Sequence, residues 1–408
     1  MSRTQRAADL LHVLFGAVPG QLVIQTTNHC NGACPQCGMR RTADIQRCRL
    51  RPEQIRPVLE QCARHNFQAV SLTGGEPFVH MDGLFSLLEE AGKAGIPYLR
   101  TGTNGFMFTD HGEAADLAQI TDFVLRLSAT KVRNFWISVD SADTPTHERM
   151  RGLPGVVAGI EKALPVFHAH GLYPAANLGI NRNILGEPVA RLTGPEDEAR
   201  FLGAFQLGFT AFFQKVIRTG FTMANVCYPM SSDNENLENP AYGAISGDFI
   251  VNFSPRERQL VFQALFDVLP DFRHKIRIFT PRSVLYALSR EDGKLLFPCL
   301  GGVRFFYMDS RDGHLYPCGY RGEDDLGETL EAALQRVQGR KPDCFLCHWE
   351  CFRDPSQLFG IARYLIRHPI QALARPGLDP TLRKLWLEDL LYSLRCGLFD
   401  GRSPGPLG

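Results

Sequence analysis

The chain carries almost no net charge and has no long hydrophobic run. Its 44 lysines and arginines balance 43 aspartates and glutamates, which gives a formal net charge of +1 over 408 residues. A near-neutral chain gives no electrostatic reason to expect a nucleic-acid partner. No stretch approaches the roughly 20 apolar residues that a membrane-spanning helix needs. With 44% hydrophobic and 21% charged residues, the composition indicates a globular protein rather than a disordered one.

Cysteine, by contrast, is plentiful and grouped. Eight of the twelve cysteines fall within two segments, residues 30–37 and 299–351. This density is too low for a small disulfide scaffold, and grouping of this kind is typical of metal sites in the reducing interior of a cell. We therefore expect a cytoplasmic metalloprotein.

Residues 21–218 alternate short β-rich runs with longer helical patterns. This alternation predicts repeated βα units and a parallel sheet, in which functional residues gather at the carboxyl ends of the strands. Six strands are predicted, at Leu22–Thr26, Ala69–Thr73, Tyr98–Thr103, Phe135–Asp140, Ala176–Asn181 and Ala211–Ile217.

The remaining segments predict smaller units around this sheet. We expect an amino-terminal helix at 1–20, a connector at 219–280 with a helix near Pro255–Leu269, a second cysteine-bearing domain at 281–352 and a helical tail at 353–408. The tail has apolar and basic residues at helical spacing. We expect it to pack on the protein rather than on a membrane surface, because any surface helix shows such a stripe.

Cys30, Cys34 and Cys37 lie within eight residues, just after the first predicted strand. Three thiolates on a four-iron cluster leave one iron open to a non-protein ligand. A structural zinc site, completed by His29, is the alternative that these residues leave open.

The C-x3-C-x2-C segment in this position resembles the radical S-adenosylmethionine superfamily. The resemblance implies a partial (β/α)6 TIM-like barrel and a [4Fe–4S] cluster whose open iron binds S-adenosylmethionine. It further implies reductive cleavage to a 5′-deoxyadenosyl radical that abstracts hydrogen from a substrate. A flavodoxin- or ferredoxin-type protein would supply the electron. One departure is Gln36, which stands where the family has an aromatic residue before the third cysteine.

Further motifs follow the predicted strands, and the resemblance assigns them to S-adenosylmethionine. Gly74-Gly75-Glu76-Pro77 matches the segment that holds the methionine amino group, and Asn104 ends the third strand. Ser138 or Asp140 would bond the ribose hydroxyls, and Arg151 would pair with the methionine carboxylate. The structural alternatives are a turn at Asn104, a helix cap at Asp140 and a surface position for Arg151.

The second cysteine group supplies the four thiolates of a closed cluster. Cys299 and Cys318 bracket a predicted hairpin with an Asp-Gly turn, and Cys344, Cys347 and Cys351 follow. A zinc ribbon built from the same positions is the alternative.

The spacing of Cys299, Gly313 and Cys318 resembles the opening of the SPASM and twitch auxiliary-cluster domains of the same superfamily. The full SPASM set is not met, because Cys351 comes early and the next cysteine is Cys396. We therefore expect a twitch-like domain with one auxiliary [4Fe–4S] cluster, with Cys344 and Cys347 as the later pair and Cys351 as a further candidate ligand.

These expectations favour a radical enzyme whose auxiliary cluster accepts an electron from a small-molecule or peptide substrate. Only 29 residues precede Cys30, so a peptide substrate would require a separate leader-binding protein. An iron–sulfur redox protein and a zinc-stabilised binding module are the non-catalytic alternatives. Neither needs a parallel sheet with motifs at successive strand ends.

Overall fold

A computed structural model describes residues 20–109, 115–231, 240–291, 295, 297–345, 349–360 and 379–405 of the chain. The predicted amino-terminal helix therefore lies outside the described residues, as do Cys347 and residues 361–378 of the predicted tail. Within the described ranges, no helix is long and apolar enough to cross a membrane.

The described residues form one nine-stranded sheet. Its strands are β1 (Gly20–Thr27), β2 (Phe67–Gly74), β3 (Tyr98–Thr103), β4 (Val132–Ser138), β5 (Ala175–Gly179), β6 (Met223–Cys227), β7 (Arg277–Ile278), β8 (Phe305–Met308) and β9 (Leu315–Tyr316). The spatial order is β7-β6-β5-β4-β3-β2-β1-β8-β9, and every neighbouring pair is parallel except β8 and β9. Because β7 and β9 are free edges, the barrel is open, and the partial-barrel prediction is confirmed.

Helices connect the strands of this sheet. They are α1 (Pro52–Arg64), α2 (Met81–Lys93), α3 (Ala115–Ala129), α4 (Thr144–Arg151), α5 (Val156–Ala169), α6 (Glu198–Thr219), α7 (Pro255–Val268), α8 (Arg282–Leu288), α9 (Leu330–Arg336), α10 (Glu350–Pro355) and α11 (Pro380–Arg395). Helix α7 confirms the helix predicted near Pro255–Leu269. It begins with a capping box in which the Ser254 side chain accepts from the Glu257 amide and the Glu257 carboxylate accepts from the Ser254 amide.

The hydrophobic core lies between the sheet and these helices. Phe123 of α3 is at its centre, with ring centroids 5.1 Å from Phe78, 5.5 Å from Phe108 and 5.9 Å from Phe135 of β4. Edge-to-face pairs of this kind add to the stabilisation from burial alone. The rim of the sheet that carries the sequence motifs therefore rests on a rigid base.

Five of the six predicted strands are confirmed, and the sixth is wrong. Ala211–Ile217 belongs to helix α6, where Phe205, Phe209, Phe212 and Phe213 are buried at helical spacing. The aromatic and β-branched residues favour a strand locally, but a buried stripe at i, i+4 and i+7 requires a helix. The sixth strand is β6, just beyond the boundary predicted for the barrel.

The predicted hairpin around Gly313 is present as β8 and β9, and Gly313 has the positive φ of +78° that its turn requires. Strand β8 also pairs in parallel with β1, from Gln21 opposite Phe305 to Ile24 opposite Met308. The segment between Cys299 and Cys318 therefore extends the barrel sheet instead of standing apart from it.

Candidate functional site

The loop with Cys30, Cys34 and Cys37 leaves the carboxyl end of β1. The Arg47 guanidinium holds it by donating hydrogen bonds of 2.8–3.1 Å to four loop carbonyls, those of residues 28, 39, 40 and 43. The Cys48 amide donates to Asn28 Oδ1 over 2.6 Å. A loop without regular secondary structure is thereby fixed through its own backbone.

Gly32 lies beside two of the three thiols, those of Cys30 and Cys34. A Cβ atom on Gly32 would lie 3.5 Å from the Sγ atoms of Cys30 and Cys34 and from Asn104 Nδ2. The amides of Gly32 and Met39 donate to Cys30 Sγ and Cys37 Sγ over 3.3 and 3.4 Å. Amide donors to sulfur are what cluster-bound thiolates require.

Burial disfavours the charged form of these thiols. It raises the pKa of Cys34 to about 12 and the pKa of Cys37 to about 11. The thiols are therefore neutral at pH 7 unless a metal displaces their protons, which cluster iron does. In the part of the chain that the structure describes, no three His, Cys, Asp or Glu side chains converge on one point as a single ion would require. Three thiols with amide donors to two of their sulfur atoms fit a four-iron cluster that keeps one iron open to another ligand.

The Gly74–Gly75 turn after β2 packs directly on the cysteine loop. A Cβ on Gly74 would lie 2.5 Å from the Thr27 carbonyl oxygen, and one on Gly75 would overlap the carbonyl of His29. The Gly75 and Glu76 amides donate to those same two carbonyls, over 2.8 and 2.7 Å. These glycines therefore allow two backbones to meet, which any side chain would prevent.

Glu76 is buried, and hydrogen bonds within the protein occupy its carboxylate. It accepts from the Asn104 amide over 2.6 Å, from Thr103 Oγ1 over 3.0 Å and from the Phe78 amide over 3.1 Å. Burial raises its pKa from 4.5 to about 7, partly offset by these donors. Pro77 is buried too and begins a short 3-10 turn. Glu76 thus ties the end of β2 to the end of β3.

Asn104 links β3 to the cysteine loop. Its Nδ2 donates to Asn31 Oδ1 over 2.8 Å, while its Oδ1 accepts from the Phe106 amide over 2.9 Å. The side chain therefore forms the predicted turn and also contacts the loop that carries the thiols.

Asp140 and Arg151 form a buried ion pair beyond β4. Arg151 Nη2 lies 2.6 Å from Asp140 Oδ2, with the side chains only 8% and 3% exposed. The cap of α4 is Asp143 instead of Asp140, so neither structural alternative for this pair holds. Arg151 Nε is buried and finds no hydrogen-bond partner among the described residues. Ser138, half-buried at the end of β4, lies two residues before Asp140.

Gln36 contacts the same carboxylate. Its Nε2 donates to Asp140 Oδ2 over 2.7 Å, and its Oε1 is buried without a hydrogen-bond partner in the described part of the chain. A glutamine between the second and third cysteines therefore fastens the cysteine loop to the end of β4, which a phenylalanine there could not do by hydrogen bonding. The sequence flagged Gln36 as a departure but did not predict this contact.

In the second cysteine group, the structure brings Cys299, Cys318, Cys344 and Cys351 into one cluster of packed side chains. The Cys299 amide donates to the Cys344 carbonyl over 2.8 Å, and the Gly301 amide lies 3.4 Å from Cys299 Sγ. Trp349 packs in the same cluster.

Cys351 faces the barrel interior. Its Sγ lies 3.6 Å from Glu350 Oε1, and Glu350 also bonds the Cys227 thiol. Cys227 Sγ in turn lies 3.3 Å from Asn177 Oδ1 of β5. Glu350 and Asn177 are interior polar residues that sequence reasoning missed. Glu350 precedes a cysteine, which was a usable signal, whereas nothing marked Asn177.

Tyr242 lies between this interior group and the cysteine loop. Burial raises its pKa, and the negative forms of Cys37, Cys351 and Cys227 raise it further, so its hydroxyl is within electrostatic reach of both cysteine groups. Its ring packs on Trp349 at 5.6 Å. The Ala244 carbonyl accepts from the Gly38 amide over 3.2 Å, so the segment with Tyr242 contacts both the cysteine loop and the second cysteine group.

A cavity of about 300 Å³ opens at the amino ends of the strands and reaches this interior group. Arg100, Asn225, Glu350 and Cys351 line its inner part, and aromatic and aliphatic side chains line the rest. The predicted cofactor-binding residues are not among those that line it. The cavity is therefore distinct from the rim where Cys30, Cys34 and Cys37 lie.

An open parallel barrel with three thiols at the end of its first strand defines a class of metalloenzyme. Residues 24–180 match the family described as the Radical SAM superfamily. This match places residues 24–180 in the superfamily, whose cofactors are a [4Fe–4S] cluster and S-adenosylmethionine.

Among curated proteins, the chain is similar to the AdoMet-dependent heme synthase of Methanosarcina barkeri. The two are 23% identical over 376 residues, which cover 88% of this chain and 97% of that protein. The corresponding heme synthase of Nitratidesulfovibrio vulgaris is 19% identical, with 82% of each chain covered. A probable GTP 3′,8-cyclase of Thermococcus kodakarensis is 27% identical and covers 57% of this chain and 70% of that protein.

Two solved structures share the fold. Streptococcus suis SuiB bound to S-adenosylmethionine matches with a TM-score of 0.50 and 15% identity, over 84% of this chain and 70% of SuiB. The enzyme anSMEcpe with bound AdoMet and the Cp18Cys peptide matches with a TM-score of 0.51 and 15% identity, over 93% of this chain and 98% of that one. At this identity the likeness extends to the fold and not to the substrate.

Proposed function

We propose that this radical S-adenosylmethionine enzyme oxidises a small organic substrate, with an auxiliary cluster as the electron acceptor. One observation carries the proposal: the loop at the end of β1 holds three buried or half-buried thiols, two of them with amide donors to sulfur, and is one ligand short of a closed cluster. When bound, the cluster and S-adenosylmethionine together supply a one-electron reductive cleavage that generates a hydrogen-abstracting radical.

The chain's own residues would hold and orient S-adenosylmethionine. Arg151 offers its buried Nε to a carboxylate, while Asp140 fixes the guanidinium from the other side. Since the Glu76 carboxylate already accepts three hydrogen bonds, backbone carbonyls of residues 74–77 are the better acceptors for the methionine ammonium. Ser138 is the candidate partner for a ribose hydroxyl.

For the auxiliary site, we propose Cys299, Cys318 and Cys344, joined by Cys347. Cys351 is the weaker candidate, because its thiol lies against Glu350 inside the barrel. This interior group and Tyr242 stand between the two cysteine groups, which suits transfer of an electron from a substrate held inside the barrel.

The similarity to the heme synthases favours a small-molecule substrate over a peptide. The heme synthase similarity runs along nearly the whole of both chains, whereas the peptide-bound structures share only the fold.

The catalytic proposal is tested by incubating the anaerobically reconstituted protein with S-adenosylmethionine and dithionite. We expect 5′-deoxyadenosine from the unaltered chain and none from Cys30→Ala. Cys48→Ala is the matched control, since its thiol lies nearby and bonds only a loop carbonyl. Absence of 5′-deoxyadenosine from fully reconstituted protein would refute the proposal.

The auxiliary cluster is tested by metal content. Two four-iron clusters predict about eight irons per chain, and Cys299→Ala should lower this by half while 5′-deoxyadenosine is still formed. Cys62→Ala, at a buried thiol on α1, is the control. About four irons together with zinc in the unaltered chain would show a zinc ribbon instead.

A further inference from the structure

The surface beside the cysteine loop is strongly basic. Between Gly38 and Pro52 the sequence holds five arginines (40, 41, 47, 49 and 51) and one acidic residue, Asp44. Five positive charges minus one negative charge leave +4 in this segment, against +1 for the whole chain. We call the segment 40–51 the arginine face.

Three of these arginines point into solvent. Arg41, Arg49 and Arg51 are exposed, and none of the five has an ion-pair partner among the residues that the structure describes. Elsewhere in the molecule, by contrast, many arginines are paired, as Arg56 is with Glu90 over 2.7 Å. Clustered exposed cations repel one another, and an anionic partner relieves that repulsion.

The arginine face is attached directly to the loop that carries the thiols. The Arg41 amide donates to the Gly32 carbonyl over 2.7 Å, so Arg41 adjoins the glycine that lies beside the Cys30 and Cys34 thiols. On the other side, Arg49 Nη1 lies 3.2 Å from His80 Nδ1, and the His80 ring stands 5.2 Å from that of His29. Ile45, 39% exposed, supplies an apolar contact within the same face.

We propose that the arginine face is the docking surface for an acidic one-electron donor protein of the flavodoxin type. This inference rests on the proposed function, which requires electrons from outside the chain. One electron passes from the reduced flavin of the donor to the group bound at Cys30, Cys34 and Cys37. The donor is oxidised by one electron, the bound group is reduced by one, and no covalent bond forms or breaks.

Electrostatic complementarity mainly accelerates the encounter. Opposite charges focused on two surfaces raise association rates by roughly 10- to 1,000-fold, and salt abolishes the gain. A donor that docks on the arginine face meets the cysteine loop, to which Arg41 is bonded at Gly32 and Arg49 is connected through His80 and His29.

The test compares two triple variants of equal net charge. In the first, Arg41, Arg49 and Arg51 are changed to Gln; in the control, the exposed arginines 200, 218 and 383 are changed to Gln. Anaerobic stopped-flow measures cluster bleaching by reduced flavodoxin and, separately, by photoreduced deazariboflavin, which is small and uncharged. We expect the first variant to lose about tenfold or more of its flavodoxin rate, the control to lose little, and both to react normally with deazariboflavin.

Equal flavodoxin rates for the first variant and the unaltered chain would overturn the proposal, as would an equal loss in the control. If the first variant failed to retain its cluster, the salt dependence of cluster reduction in the unaltered chain would test the proposal instead. Its flavodoxin rate must fall as salt rises while its deazariboflavin rate does not, and a salt-independent flavodoxin rate would be contrary evidence. Failure of the catalytic proposal would look different, since deazariboflavin would then give no 5′-deoxyadenosine.

Discussion

The Asp140–Arg151 ion pair allows a quantitative test of the site geometry in cofactor-free protein. Asp140→Asn keeps the shape of the side chain but leaves the Arg151 charge buried without a counter-charge. Removing one partner of such a pair costs about 3–5 kcal/mol of unfolding free energy. Arg151→Met is milder, because Asp140 keeps its donors from Gln36 Nε2, over 2.7 Å, and the Gly179 amide, over 3.3 Å. We expect a cost of about 1–3 kcal/mol.

The double variant should be less damaged than the sum of the two single changes, with a coupling energy of about 2 kcal/mol. Urea unfolding under anaerobic conditions with a chelator measures all four free energies. The control cycle uses Arg56 and Glu90, whose side chains are 45% and 27% exposed. Solvent screens such a pair, so its coupling should stay below about 1 kcal/mol. A coupling for Asp140 and Arg151 as small as that of the control would refute the buried-pair geometry.

Three further outcomes follow from the rim. Gly75→Ala should abolish cluster retention, measured as iron per chain, because its Cβ would overlap the cysteine loop, whereas Gly83→Ala, with open space around it in α2, should stabilise the protein by about 0.5–1 kcal/mol. The raised pKa of Glu76, about 7 against 4.5, gives a stability contribution that is complete below pH 4.5 and lost as the pH rises through 7. The unfolding free energy of the unaltered chain should therefore fall by up to about 3 kcal/mol between pH 5 and 8, and Glu76→Gln should remove this fall. An unchanged pH profile would contradict the burial of this carboxyl. Gln36→Leu removes both a hydrogen bond and an unpaired carbonyl, so cofactor-free stability should change by less than about 1 kcal/mol, and a larger loss in urea unfolding would show that Oε1 has a partner.

The sequence predicted the strands whose two faces are both buried. Strand β1 is buried along its whole length, and such runs of apolar and β-branched residues are bounded by turn residues that local rules detect. The rim motifs were found for the same reason, since they stand where those strands end. The three cysteines, the Gly-Gly turn and Asp140 needed no tertiary information to be located.

Local rules failed where distant contacts decide the structure. The run at 211–217 is helical because α6 packs its phenylalanines into the core at helical spacing from Phe201 to Phe213, a constraint that a short window does not contain. Likewise, the bond between Gln36 and Asp140 joins residues 104 positions apart. Its formation depends on β1 and β4 being brought to one rim by the sheet.

The sheet also determines how the two cysteine groups relate to each other. Strand β1 leads into Cys30, and its neighbour β8 lies between Cys299 and Cys318, so the two groups are attached to adjacent hydrogen-bonded strands. Gln25 of β1 strengthens this junction by donating to Ser310 Oγ over 2.7 Å and by accepting from the Tyr307 hydroxyl. A separate domain on a linker could change its distance from the barrel, but a paired strand cannot without breaking the ladder. The spacing between the two proposed clusters is therefore built into the fold, and domain movement is not needed to bring the electron acceptor within reach of the barrel interior.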